Sequence, residues 1–80
     1  MTYRNAYKRA NKWQQRVRII AVYHTVRSLK KKSWRVRDTA NYFQLSIGNV
    51  SENLYLAENW SKIREFASRN KALKKLRKLI

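Results

Sequence analysis

The chain contains no proline and one glycine, Gly48, in 80 residues. Average usage would supply roughly four prolines and six glycines over this length. Without those punctuators the backbone has few places for hairpins, bulges or left-handed turns, so it is predicted to run as helices joined by short connections. Size adds a second bound, because a domain this small hides only about 60% of the surface its unfolded chain exposes. The expected architecture is all-α, a small bundle of four to five helices with one modest core. Two-lobed folds and large buried active sites are excluded.

Charge sets the next constraint. Twenty Lys and Arg stand against four Asp and Glu, a formal net charge of +16. Such a chain repels itself unless phosphates or counterions screen it, so its partner is expected to be a polyanion. Nucleic acid comes first, double-stranded DNA ahead of RNA, and an anionic membrane surface follows. The hydrophobic content of 44%, with three Trp, five Tyr and two Phe, is too high for a wholly disordered basic tail. No apolar run reaches the ~18 residues of a membrane span, and no signal-peptide core is legible near the N-terminus. A soluble intracellular protein without a membrane partner is expected.

The cations are segregated. Residues 1–37 hold twelve basic residues and no acidic one; 38–61 hold Asp38, Glu52 and Glu58 and no Lys or Arg; 62–80 hold eight basic residues and Glu65. In the first block Ile19, Val22, Tyr23, Val26 and Leu29 follow the spacing of one helix face, widened by Trp13, Val17 and Ile20, which predicts a helix over about 12–31. Upstream, Tyr3, Tyr7 and Ala10 either extend that helix or belong to a basic arm covering 1–11; the domain proper is set at 12–80. Lys30, Lys31 and Lys32 mark the helix end, where mutual repulsion frays the last turn and cations suit the C-terminal dipole.

The centre reads WRVRDTANYFQLSIGNVSENLYLA from Trp34 to Ala57. Val36, Ala40 and Phe43 share one helical face, and Ile47, Val50, Leu54 and Ala57 form a second apolar stripe. Ser46 is placed to cap the second helix, and Ala40 is small enough for the two helices to cross closely. Placing Val50, Leu54 and Ala57 inward turns Gly48, Glu52, Tyr55 and Asn59 outward, with Asn49 and Ser51 on the flanks.

Val36-Arg37-Asp38-Thr39-Ala40, Leu45-Ser46 and Val50-Ser51 resemble the helix-turn-helix of small phage, plasmid and bacterial DNA-binding proteins. Ser68-Arg69-Asn70-Lys71-Ala72-Leu73 is similar to the tail that follows it in mobile-element regulators. The likeness spans roughly residues 33–76, with the helix-turn-helix itself at about 35–59. It implies a transcription regulator or DNA-recognition subunit, located in a bacterial nucleoid or phage-infected host, that binds double-stranded DNA as a homodimer or within a larger nucleoprotein complex. Two departures stand out: Gln44 occupies the turn position where the family prefers Gly, and the second helix lacks Arg and Lys, although Arg to guanine is the commonest specific base contact. On this reading Gly48, Asn49, Ser51, Glu52 and Tyr55 meet base edges. Asn49 would bond adenine, Glu52 would accept from cytosine, and Gly48 would permit close approach. Lys30, Lys31, Lys32, Arg35, Arg37, Gln44 and Ser46 meet phosphates, so affinity and recognition fall in different segments. The bland alternative is a packing module or a protein-contact surface, with DNA held only by the basic segments.

After Ala57 the apolar stripe shifts to Leu56, Trp60, Ile63 and Ala67, which predicts a break near Asn59–Ser61 with Ser61 as the new cap and a second face able to pair subunits. Ser68 then caps a basic amphipathic helix over about 69–80, carrying Ala72, Leu73, Leu76, Leu79 and Ile80 on one side. That helix suits core packing, dimerisation or an anionic membrane. Trp13, Trp34 and Trp60 are expected as core anchors or interface residues rather than base-stacking platforms. No cysteine is present, His24 lacks a carboxylate at helical spacing, and no nucleophile triad, glycine-rich loop or metal-ligand cluster can be assembled. Neither an enzyme nor a cofactor is expected. A basic structural component of a ribosome, virion or nucleoid is the competing role.

Overall fold

A computed structural model describes residues 2–79, and every regular element among them is helical. There are six helices rather than four to five: α1 (Tyr3–Arg9), α2 (Trp13–Lys30), α3 (Val36–Phe43), α4 (Ile47–Glu58), α5 (Trp60–Ile63) and α6 (Arg69–Leu79). The expected apolar roles of Leu79 and Ile80 lie outside the described side chains.

Crossing of α2 with α4 forms the spine of the molecule; α1 and α3 close one end, α5 and α6 the other. Two apolar clusters result. At the first end Ile20, Tyr23, Ala40, Phe43 and Val50 are buried together, and at the second Val17, Leu56, Ile63, Ala72, Leu73 and Leu76. The first is aromatic in character. Tyr23 stacks on Tyr42 at 4.1 Å and meets Phe43 and Trp34 edge-on at 5.3 and 6.0 Å, arrangements that suit the ring quadrupole.

Segment 1–11 is not a free arm where it is described. Thr2 caps α1 by accepting from the Asn5 amide (3.2 Å), Tyr7 tilts onto Phe43 at 5.4 Å, Tyr3 meets Tyr23 at 5.4 Å, and Ala10 is buried. Those ring contacts and the buried Ala10 tie down a short, cation-rich helix that would be marginal alone. The buried face of α2 also differs from the expected stripe. Val17, Ile20 and Tyr23 point inward, whereas Val22 is 43% and Leu29 80% exposed. Apolar residues lie on most sides of α2, so periodicity alone leaves its rotation undetermined; packing against α3 and α4 selects the Val17 side.

The α3–α4 connection follows from local chemistry. Arg35 N–H donates to the Asp38 carboxylate (2.9 Å) at the start of α3, tying the entry. At its end Gln44 adopts φ 58°, ψ 45°, and the Leu45 amide reaches the Ala40 carbonyl at 2.9 Å, the six-to-one bond of a Schellman ending. A left-handed non-glycine residue costs about 1 kcal/mol. Ser46 Oγ then accepts from the Asn49 amide (3.1 Å), capping α4 as its sequence position predicts.

Breakage after α4 falls at Asn59, but Ser61 is not the cap. It sits inside α5, and no side chain caps that four-residue helix. Leu56 and Ile63 are fully buried against Ala72, Leu73 and Leu76 of α6, so these two residues of the second apolar face are spent within the chain. Ala67, expected on that stripe, is exposed. Ser68 caps α6 by accepting from the Lys71 amide at 3.3 Å. All three tryptophans are half-buried against the clusters. Trp13 donates to the Ala67 carbonyl (3.1 Å) and Trp34 to Thr39 Oγ1 (2.8 Å).

Candidate nucleic-acid interface

One face of the first two turns of α4 is bare. Ile47 is 57% exposed, although its spacing suggests an inward stripe, and Gly48 and Ser51 are exposed beside it. A Cβ built on Gly48 meets no atom within 4 Å. The only glycine of the chain therefore sits where the fold does not require it, at a helical position where glycine is destabilising by roughly 0.5–1 kcal/mol relative to Ala. Among the described residues nothing covers this surface.

Farther along, the expected outward set separates. Tyr55 does not face solvent freely: it is half-buried against the second apolar cluster, because α5 and α6 fold back over the C-terminal half of α4. Asn59, placed outward with it, is half-buried and donates its side-chain amide to the Tyr55 carbonyl (3.0 Å). Glu52 is partly exposed and lies 3.4 Å from Arg69 Nη2, the only ion pair among the described residues. Asn49 is half-buried and accepts from Asn53 Nδ2 at 2.8 Å. The inward side of α4 is formed by Val50, Asn53 and Leu56, so the buried stripe is turned from the expected Ile47–Val50–Leu54–Ala57 line. Gly48, Asn49, Ser51 and Glu52 remain together on the N-terminal half, and Tyr55 leaves the set.

All the candidate phosphate-binding side chains are accessible. Lys30 closes α2, Lys31 and Lys32 follow it, and Arg35 and Arg37 flank the start of α3; all five are exposed and form no ion pair among the described residues. Gln44 and Ser46, in the turn leading into α4, are also exposed. Arg27 lies over the rings of Tyr23 and Trp34 at 5.5 and 5.9 Å and joins the cationic side of the aromatic cluster, a contact the linear pattern did not signal. The chain carries twenty cations, and a single ion pair occurs among the described residues, so contacts there neutralise almost none of the charge.

Behind α3, Thr39 is a buried hydroxyl at a junction. It accepts from Trp34 Nε1 and lies 2.7 Å from His24 Nδ1, to which the hydroxyl donates in the neutral tautomer that carries its proton on Nε2. Burial lowers the His24 pKa from its ordinary 6.5, favouring that neutral form. His24 thus serves packing of α2 on α3. No cluster of three metal-ligating side chains occurs among the described residues, and none of their helices is long and apolar enough to cross a membrane.

Comparison of the chain with protein-family models, with curated proteins and with solved structures finds no match.

Proposed function

We propose that this protein binds double-stranded DNA through the α3–turn–α4 unit, setting the N-terminal turns of α4 in the major groove. The observation that carries this reading is the uncharged, uncovered surface of Ile47, Gly48 and Ser51 on a chain whose exposed cations are, among the described residues, almost all without an ion-pair partner. A groove about 12 Å wide admits a helix, and a residue without a side chain lets its backbone approach base edges. Lys30, Lys31, Lys32, Arg35 and Arg37 would engage phosphates, with Gln44 and Ser46 contributing neutral donors. This division gives affinity to the flanks and sequence preference to α4. A small regulator or recognition subunit of mobile-element type, acting as a dimer on paired half-sites, fits the short reading surface, since one such helix spans only a few base pairs.

Selection from a random duplex pool tests the reading. An enriched motif is expected, and a repeated half-site would establish dimer symmetry and spacing together. With six to eight phosphate contacts, log K should fall against log salt with a slope of roughly −5 to −7. Salt-sensitive binding without any enriched motif would instead assign the chain to charge-driven coating of nucleic acid.

A further inference from the structure

The reading half of α4 is tied to a helix that lies outside the α3–turn–α4 unit. Arg69, the first residue of α6, donates from Nε to Asn53 Oδ1 (3.3 Å), and Asn53 Nδ2 donates to Asn49 Oδ1 (2.8 Å). Asn53 is only 4% exposed, one of two buried polar residues together with Thr39. A guanidinium carries donors only, so the Arg69 Nε–H determines which end of the Asn53 amide is oxygen. That orientation sets Asn49 in turn: its oxygen is engaged by Asn53, and its NH2 has no partner among the described residues. The same Arg69 places Nη2 3.4 Å from Glu52 Oε2, near enough for an ion pair although no hydrogen bond forms.

We propose that Arg69 is a positioning residue that makes Asn49 a donor toward DNA and so sets the base preferred by α4. This rests on the DNA-binding reading above. An NH2 group offering two hydrogens matches the paired N7 and O6 acceptors of guanine in the major groove; adenine would require the Asn49 oxygen, already accepting from Asn53, to turn its second lone pair to the adenine amino group as well. The expected partner of Asn49 is therefore guanine, and the adenine contact implied by the sequence is replaced. Pairing with Arg69 also offsets the Glu52 carboxylate, which would otherwise repel the approaching phosphates. A helix without Lys or Arg thus borrows its cation from α6.

Position-by-position base preference on the selected duplex, measured for the wild type and three variants, tests the proposal. Arg69→Met and Arg69→Lys should both broaden preference at one guanine by about tenfold or more, because each removes the Nε–H, while the salt slope changes by less than one unit. Asn49→Asp keeps an acceptor for Asn53, so its thermal midpoint should stay near wild type; its carboxylate offers only acceptors, so preference at the same position should move from guanine to cytosine. The Asn53 side-chain amide signals in 15N–1H NMR should remain exchange-protected in Asn49→Asp and lose protection in Arg69→Met. A wild-type-like Arg69→Lys, with Arg69→Met weakening all sequences equally, would make Arg69 a plain phosphate contact and overturn the proposal. An unchanged preference in Asn49→Asp would do the same, even if Arg69→Met fails to fold. Absence of any base preference in the wild type would instead defeat the DNA reading on which the proposal stands.

Discussion

Replacing Gly48 by Ala separates what the fold needs from what a partner needs. Gly48 is the second residue of α4, directly after Ile47, and a Cβ added there meets nothing within 4 Å. The substitution therefore brings helix propensity and a restricted unfolded chain with no steric offset. In a helix interior this amounts to about 1 kcal/mol, and a first-turn position retains roughly 0.5–1 of it. For a domain of 60–100 residues each kcal/mol moves the melting midpoint by about 4–8 °C, so Gly48→Ala should melt roughly 2–8 °C higher. Circular dichroism at fixed ionic strength reads this directly; salt must be held constant because a chain of +16 is stabilised by screening. The same methyl group projects into the surface proposed to meet base edges. Affinity for the selected duplex should fall by about tenfold or more, equivalent to about 1.4 kcal/mol. A variant that is both more stable and binds unchanged would refute close approach at this position. A less stable one would refute the open environment from which the magnitude is drawn.

Three other outcomes follow from the same geometry. Gln44→Gly relieves the left-handed strain at an exposed position and should raise stability by about 0.5–1 kcal/mol, read from the urea midpoint at constant slope. Leu56→Ala, at a fully buried site between α4 and α6, should cost about 2–5 kcal/mol and shift the same midpoint downward. Because burial lowers the His24 pKa below its unfolded value of 6.5, the unfolded chain binds the extra proton more readily. Stability should then be complete above pH ~7.5, decline as pH falls through 6.5, and level off below the folded pKa. His24→Gln should remove that decline, and a midpoint independent of pH in the wild type over this window would contradict the half-buried neutral imidazole.

Legibility of the fold from its residues varied with the range of the interactions involved. Ser46, Ser68 and the Val36–Ala40–Phe43 face are short-range signals, and the caps and the buried face of α3 lie where they indicate. The rotation of α2 was not legible, since Val22 and Leu29 are as apolar as Val17 and Ile20; only the neighbouring helices distinguish them. Ser61 is as good a cap by type as Ser46, yet the chain turns at Asn59 before reaching it. On the candidate interface, Gly48 and Ser51 needed only the helix period to be placed. Tyr55 was misplaced because its cover comes from α5 and α6, and Arg69 was missed because it reaches Asn53 from sixteen residues downstream. A buried Asn on an apolar stripe is the one local hint of such a partner, since buried amides are nearly always satisfied.

Dividing the interior into two clusters along one shared spine also shapes how the molecule opens. Val17, Ile20 and Tyr23 place α2 in both clusters, whereas α6 is held by one of them alone. Amide protons of α2 should thus exchange only through global unfolding, while those of α6 exchange through a smaller excursion that leaves the aromatic end intact. That excursion withdraws Arg69 from Asn53. A duplex that requires Asn49 held in place then binds the closed form preferentially, and by linkage it should slow exchange at Leu73 and Leu76, residues far along α6 from the groove itself.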